Sequence, residues 1–163
     1  MFNIREMIPN DWKFVKEIYE QALIEGKSTF TKKSPTFENW DKNHLKNCRY
    51  VLEKDKKIIG WCSLSPTSSR DVYKGVVEIS IYIHQEYRNI GAGKFLLNYL
   101  IKESEKKGYW SLISSIISSN INSIKLHEKC GFRQVGYREK IAKDIFGVWQ
   151  DTFLYEKRSK LIF

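Results

Sequence analysis

A short segment near the middle of the chain, Arg88–Lys94 (RNIGAGK), combines two glycines with two basic residues. It follows an apolar stretch with strand periodicity and precedes an amphipathic stretch with helical periodicity. Glycines let the backbone turn tightly and come close to a ligand. Free N–H groups at the start of a helix attract anions, and Arg88 and Lys94 add formal positive charge. The segment is therefore suited to binding a pyrophosphate.

This segment fits one of three phosphate-binding patterns. A P-loop begins with a glycine and ends in Gly-Lys-Ser/Thr, but here Arg88 takes the glycine position and Phe95 the Ser/Thr position. The dinucleotide pattern GxGxxG fails because Leu96 takes the place of its last glycine. The pattern Arg-x-x-Gly-x-Gly, with Gly91 and Gly93, does fit. A glycine-rich turn that binds no ligand is the open alternative.

A carboxylate interrupts the apolar strand that precedes this segment. Side chains alternate along Val76–His84, so Glu78 lies on the face opposite Val77 and Ile79. An α-amine is mostly protonated at neutral pH, and a carboxylate can remove that proton directly or through water. From the strand alone, a solvent-facing carboxylate in a salt bridge is the simpler interpretation.

Periodicity and turn signals predict eleven elements in the order β-α-α-β-β-β-α-β-α-β-β, an α/β or α+β pattern in three layers. We expect one domain over residues 1–163, because no linker or repeat interrupts the pattern. The predicted elements are a strand Phe2–Met7, a helix from Pro9 through Ala22, a helix from Ser34 to about Asn47, a hairpin of Tyr50–Glu53 and Lys57–Leu64, a strand Val76–His84, a helix between Gly91 and Gly108, a strand Trp110–Ile117, a helix capped by Asn120 that ends before Gly131, and strands Phe132–Arg138 and Val148–Tyr155.

Composition argues against several classes of protein. The net charge is +9, but the lysines are spread along the chain without the basic and aromatic stripe of an RNA-binding domain, so we expect no nucleic-acid partner. The apolar runs are too short for a bilayer span and the N-terminus lacks signal-peptide features, so we expect a cytoplasmic protein that does not enter a membrane. Cys48, Cys62 and Cys130 match no metal or disulfide spacing, which predicts reduced thiols and no metal.

Two motifs together resemble the GCN5-related N-acetyltransferases (GNAT). Arg88-x-x-Gly91-x-Gly93 is similar to their motif A, and the segment from Asn120 to Phe132, with Asn120-x-x-Ser123 at its start, is similar to their motif B. The resemblance implies a GNAT fold, whose mixed, mostly antiparallel sheet is splayed in the middle and flanked by about four helices. It also implies acetyl-CoA as co-substrate, with no metal. The residues assigned to acetyl-CoA are Ile81, Tyr82, Ile83, Arg88, Asn89, Ile90, Gly91, Ala92, Gly93, Lys94 and Asn120.

The resemblance is closest to the phosphinothricin and methionine sulfone acetyltransferases and covers nearly the whole chain. It is carried by Ile18-Tyr19 with Ser28-Thr29-Phe30, Arg70-Asp71-x-Tyr73, Val77–Ile83, Leu126–Phe132, and Phe146-Gly147-x-Trp149-x-Asp151. It implies acetyl transfer to the amine of a small amino-acid-like acceptor by direct attack in a ternary complex, and we expect a homodimer. A protein N-terminus or an aminoglycoside as acceptor, and a module that binds acetyl-CoA without catalysis, are the alternatives.

The resemblance also assigns roles near the reacting atoms. It makes Glu78 the general base and gives His127 the position of a group that assists the departing thiolate. A neutral imidazole can hydrogen-bond to the thiolate or to the amine, whereas imidazolium is the better acid. A buried structural histidine is the alternative for His127. His44 and His84 have no comparable context and are predicted to be surface residues.

Five residues are expected to line the acceptor pocket, because the loops that carry them border that pocket in the related family. Arg70 can clamp an anionic group in a bidentate manner. The segment Ser65–Ser69 departs from the aromatic and basic run of the family, which leaves the acceptor open. Ordinary loop anchoring or packing is the alternative for each residue. The five are Phe30, Arg70, Asp71, Tyr73 and Trp149.

Overall fold

The computed structural model describes the whole chain, Met1–Phe163. It has seven strands and four α-helices, with short 3₁₀ turns before α1 and on either side of the fourth strand. In chain order, the elements are β1 (Phe2–Glu6), α1 (Trp12–Glu25), α2 (Phe37–Asn43), β2 (Tyr50–Lys54), β3 (Lys57–Pro66), β4 (Val76–Ile83), α3 (Ala92–Lys106), β5 (Ser111–Ile117), α4 (Ile121–Lys129), β6 (Arg133–Lys143) and β7 (Trp149–Arg158).

All strands belong to one sheet in the order β1-β2-β3-β4-β5-β7-β6. Every neighbouring pair is antiparallel except β4 and β5, which are parallel. β4 pairs with β3 from Val77 to Ile83, but with β5 only from Val76 to Glu78. The two central strands therefore separate after Glu78, as the predicted splayed sheet requires.

The helices cover both faces of the sheet. On one face, α3 buries Leu96, Leu97 and Leu100 in the main core, together with Val77 and Ile79 of β4. On the other face, α1 and α2 pack over a smaller core that contains Trp40 and Trp61. The second face also carries Glu78, Ser80 and Tyr82, because they alternate with the core residues of β4. The alternation predicted for this strand is confirmed.

The second helix is shorter than predicted. It begins at Phe37, where the Thr36 hydroxyl accepts a hydrogen bond from the Asn39 N–H, and it ends at Asn43. Beyond this end, the Leu45 N–H donates to Leu64 of β3, and the Arg49 guanidinium donates to the carbonyls of Asp41 (2.9 Å), His44 (3.1 Å) and Leu45 (2.6 Å). These carbonyls would otherwise accept bonds from a continuing helix.

The sixth strand is longer than predicted, and both histidines predicted at the surface are half-buried. β6 runs to Lys143 through a register irregularity between Arg138 and Ala142. His44 stacks on Trp40 with ring centroids 4.4 Å apart, and His84 packs against α1. In the helices, no stretch combines the length and the apolar character needed to cross a bilayer.

Candidate active site

The turn before α3 exposes a row of unpaired backbone donors. The N–H groups from Asn89 to Lys94 reach no backbone acceptor, and the N-cap residue Gly91 provides no side chain to cap them. Asn89 and Gly91 both have positive φ, at 62° and 84°. Alternation of left-handed and right-handed residues turns successive N–H groups toward one point and forms an anion-binding concavity. The positive end of the α3 dipole adds to its attraction for an anion.

The two glycines of this turn serve different purposes. A Cβ on Gly91 would meet no atom within 4 Å, so the space beside this residue is open. Glycine is favoured there because its φ is positive. A Cβ on Gly93 would lie 3.2 Å from the side chain of Leu126. Gly93 therefore allows α4 to pack closely against the start of α3.

Arg88 is anchored by a partner that the sequence did not reveal. Its guanidinium lies 2.8 Å from the carboxylate of Glu25, at the end of α1. Both side chains are partly exposed, so this ion pair contributes little to stability. It ties the turn to α1. An anion bound in the turn would compete with Glu25 for the positive charge of Arg88.

The strand edge next to this turn is unpaired. From Ile79 to Ile83, β4 has a partner on the β3 side only. Its backbone groups on the β5 side can therefore pair with an extended ligand, as proposed for the residues Ile81, Tyr82 and Ile83. The gap begins at Glu78 and leads toward the anion-binding turn.

Glu78 lies at the point where the central strands separate. Its side chain is exposed to solvent, yet neighbouring protein atoms partly desolvate the carboxylate, and this raises its pKa above the usual range. The positive charge of Arg138 opposes that rise. A carboxylate with a raised pKa is a better proton acceptor than an ordinary surface carboxylate, provided that it remains ionised at the working pH.

The sheet register places Arg138 on the same face as Glu78. Glu78 pairs with Ile113, and Ile117 lies on the same face of β5 because it is four residues further along. Ile117 pairs with Thr152, which in turn pairs with Arg138. The guanidinium of Arg138 makes no hydrogen bond or ion pair with another residue. Arg138 immediately precedes the irregular part of β6, and such bulges often redirect a side chain at the edge of a site.

Replacing Arg138 with glutamine is expected to move the acidic limb of the kcat/KM profile to higher pH, by up to about one unit. The reason is that Glu78 must be ionised to accept a proton, and removal of the nearby positive charge raises its pKa further. The control is Arg133→Gln, which removes an arginine of the same strand that pairs with Glu156 at 2.9 Å. An unchanged limb in Arg138→Gln would mean that the charge of Arg138 does not act on the group that controls this limb.

His127 is buried with one ring nitrogen unpaired. It is 1% exposed, and its Nδ1 lies 2.7 Å from the carbonyl oxygen of Ser123. Since a carbonyl can only accept, Nδ1 carries the proton and Nε2 presents a lone pair. Nε2 is buried and has no partner in the protein. Burial lowers the pKa of His127, although its bond to Ser123 opposes this shift. The side chain is therefore a neutral hydrogen-bond acceptor rather than an imidazolium acid.

Asn120 begins α4 as predicted. Its Oδ1 accepts a hydrogen bond from the Ser123 N–H at 3.3 Å. The same first turn supplies the Ser123 carbonyl that orients His127. The cap thus helps to position the histidine, while the assignment of Asn120 to acetyl-CoA stays a prediction.

The residues predicted for the acceptor lie on three separate parts of the chain. Arg70 and Asp71 are exposed beside a 3₁₀ turn before β4, where the Arg70 guanidinium lies 5.4 Å from the centre of the Tyr73 ring. Phe30 is half-buried between α1 and α2. Trp149 is 54% exposed at the start of β7, near the tip of the β6–β7 hairpin. No hydrogen bond or ion pair joins these three places directly, so their common role stays a prediction.

Two residues of this region were not predicted from the sequence to belong to it. Arg138 lies in a segment predicted only as a strand end, and His44 was predicted at the surface. The Nδ1 atom of His44 lies 2.7 Å from the hydroxyl of Ser63, which is fully buried. The serines within the apolar strand β3 were a signal in the sequence that a polar partner packs above it.

Residues 12–132 match the acetyltransferase (GNAT) family model. The chain belongs to the GNAT acetyltransferase family. Its fold, its reaction class of N-acetyl transfer and acetyl-CoA as co-substrate are thereby confirmed as predicted. The anion-binding turn fits the pyrophosphate of coenzyme A, because its unpaired N–H groups carry no competing protein acceptor. The buried, unpaired Nε2 of His127 is a further polar atom that a ligand in the gap could satisfy.

Several named acetyltransferases resemble the chain over most of their length. It is 26% identical to an L-methionine sulfoximine/L-methionine sulfone acetyltransferase of Salmonella typhimurium, over 88% of this chain and 87% of the relative. It is 27% identical to a phosphinothricin N-acetyltransferase of Streptomyces viridochromogenes, over 92% and 87%. The structure of a phosphinothricin acetyltransferase from Sinorhizobium meliloti in complex with acetyl-CoA superposes with a TM-score of 0.88 at 25% identity, over 96% and 88%.

Proposed function

We propose that the enzyme acetylates the α-amine of a small amino-acid-like molecule of the phosphinothricin, methionine sulfone or methionine sulfoximine type. The observation that carries this proposal is the position of Glu78, a partly desolvated carboxylate at the mouth of the gap between β4 and β5. The names of the relatives with matching length support the acceptor class.

In the proposed reaction, the neutral amine attacks the acetyl carbonyl carbon. Glu78 has by then removed one proton from the protonated α-amine, directly or through water. As the amine attacks, an N–C bond forms and the C–S bond breaks. The departing thiolate takes up the second proton of the amine, directly or through water, as coenzyme A leaves. Backbone N–H groups along the unpaired edge of β4 stabilise the charge that develops on the carbonyl oxygen. The neutral His127 accepts a hydrogen bond from the amine or from the thiol and so assists the departure of the thiol.

The test is a thiol-release assay with acetyl-CoA and one candidate acceptor at a time. The acceptors are methionine sulfone, methionine sulfoximine, phosphinothricin, the common amino acids, an N-terminal peptide and an aminoglycoside. We expect turnover with at least one of the first three and none with the peptide or the aminoglycoside. Turnover confined to the peptide or the aminoglycoside would reject the proposed acceptor class.

We also propose that the protein forms a homodimer through the β6–β7 hairpin. β6 is an edge strand of the sheet, and an edge strand that exposes apolar side chains tends to pair with another chain. The exposed apolar residues concentrated on this hairpin are Val135, Tyr137, Ile141, Phe146, Val148 and Trp149. Light scattering should then give twice the chain mass of 19.3 kDa, whereas a mass of one chain would contradict the dimer.

The state of the cysteines supports a reducing compartment, and we propose the cytoplasm. Cys48, Cys62 and Cys130 are all free thiols buried in the fold. Free thiols are typical of proteins that function in reducing environments.

A further inference from the structure

A small cavity lies near Glu78 on the face covered by α1 and α2. Its volume is about 100 Å³. Its walls combine aromatic residues from α1, α2, β3 and β4 with polar residues from α2, β4 and the residue that follows α2. Its lining residues are Tyr19, Pro35, Trp40, Asn43, His44, Trp61, Ser80 and Tyr82.

The register of β4 connects this cavity to the reacting groups. Ser80 lies two residues beyond Glu78 on the same face, which is a distance of about 7 Å along a strand. On the neighbouring strand, Ser65 pairs with Glu78 and Ser63 pairs with Ser80. A row of serine hydroxyls therefore leads from the carboxylate to the cavity. The span between the α-amine and the end of a short amino-acid side chain is similar.

The walls of the cavity carry no net charge. No carboxylate, lysine or arginine lines it, and His44 is its only titratable residue apart from tyrosine. Desolvation, together with the positive charge of Arg49, lowers the pKa of His44 to about 4, so its imidazole is neutral at physiological pH. A charged side chain placed in this cavity would lose its hydration without gaining an ionic partner.

The walls nevertheless offer hydrogen-bond donors. The indole N–H groups of Trp40 and Trp61 are buried and reach no acceptor in the protein. The Ser80 hydroxyl and the Asn43 amide add further donors. The cavity thus combines aromatic walls with groups that can bind an uncharged oxygen.

We propose that this cavity binds the side chain of the acceptor and selects short, uncharged side chains that carry an oxygen acceptor near their end. The proposal rests on the proposed function, because it requires the α-amine to lie at Glu78. Among the candidate acceptors it favours methionine sulfone and methionine sulfoximine over phosphinothricin, whose phosphinate is anionic. Lysine, arginine and glutamate are excluded by charge, and tryptophan by size.

The first test fills the cavity from the strand. Ser80→Leu should lower kcat/KM for methionine sulfone by about 10- to 200-fold, the usual effect of a misfit of one or a few methylene groups. Ser80→Ala, the matched control, removes the hydroxyl without filling the space. Its kcat/KM for methionine sulfone should fall much less. The dissociation constant for acetyl-CoA, measured by calorimetry, should be unchanged in both variants.

The second test narrows the cavity from the side of α2. It is independent of whether strand β4 can accommodate the leucine of the first test. Asn43→Leu should lower kcat/KM for methionine sulfone, whereas Asn39→Leu, an exposed residue of the same helix outside the cavity, should not. Thermal unfolding verifies that each variant is folded. A crystal grown with coenzyme A and methionine sulfone should show the sulfone oxygens in the cavity.

Three results would overturn the proposal. The first is an equal loss of kcat/KM in Ser80→Leu and Ser80→Ala. The second is a wild-type preference for phosphinothricin over methionine sulfone. The third is a crystal structure with methionine sulfone bound outside the cavity. These results leave the proposed function intact as long as the wild-type enzyme acetylates an amino-acid-like amine. A wild-type enzyme that acetylates none of these amines would overturn the proposed function, and this inference with it.

Discussion

Gly91→Asp is expected to raise the dissociation constant for acetyl-CoA by about 100-fold or more. The new carboxylate would lie in the open space beside the unpaired N–H groups, where the pyrophosphate is expected to bind. Two unit charges 4 Å apart repel by about 4 kcal/mol at an effective dielectric constant of about 20. A loss of about 1.4 kcal/mol corresponds to a tenfold change, so even a screened repulsion has a large effect. Calorimetry with acetyl-CoA measures it.

The matched control for this variant is Gly108→Asp. Gly108 also has a positive φ, 86° against 84°, and a Cβ added there would likewise meet no atom within 4 Å. Both variants therefore carry the same added charge and a similar backbone strain, which costs roughly 1–2 kcal/mol. Only Gly91 adjoins the anion-binding turn. Equal affinities of the two variants for acetyl-CoA would mean that the turn does not bind the pyrophosphate.

Glu78→Gln is expected to lower kcat at neutral pH by about 10²- to 10⁴-fold, which is the usual contribution of a general base. The amide has nearly the same shape as the carboxylate but cannot accept the proton of the amine. The affinity for acetyl-CoA should be unchanged, because the anion-binding turn lies at the other end of β4. Steady-state kinetics and calorimetry separate these two effects.

The pH profile adds a second criterion for Glu78. Because its pKa is raised, the wild-type enzyme should lose activity as the pH falls through that pKa, and Glu78→Gln should lack this limb. Glu105→Gln is the control, since Glu105 lies in the last turns of α3, about 20 Å along the helix from its start. A wild-type kcat in Glu78→Gln would disprove the role of general base.

Most of the fold could be predicted because its signals are local. The alternation of β4 and the apolar stripe of α3 each appear within one element, and both are present in the structure. The end of α2 could not be predicted in this way. The contacts beyond it come from outside the helix, since Leu45 donates to Leu64 of β3 and Arg49 reaches back to the carbonyls.

The anion-binding turn was determined by the sequence alone. Its donors are consecutive backbone N–H groups, and its shape depends on the positive φ of Asn89 and Gly91 within the same few residues. Chain connectivity therefore brings these N–H groups together, while the rest of the fold adds the Arg88–Glu25 ion pair and the packing of α4 against Gly93. The same holds for Asn120, which caps the helix that it begins.

The acceptor side of the site was decided only by the tertiary structure. Arg138 and Glu78 are 60 positions apart and share a face through three successive strand pairings. The cavity near Glu78 joins residues of two helices, two strands and the segments that flank α2, and His44 is neutral because packing removes it from water. Charge, hydration and distance between groups far apart in the chain depend on packing, so no local pattern of residue types could predict them.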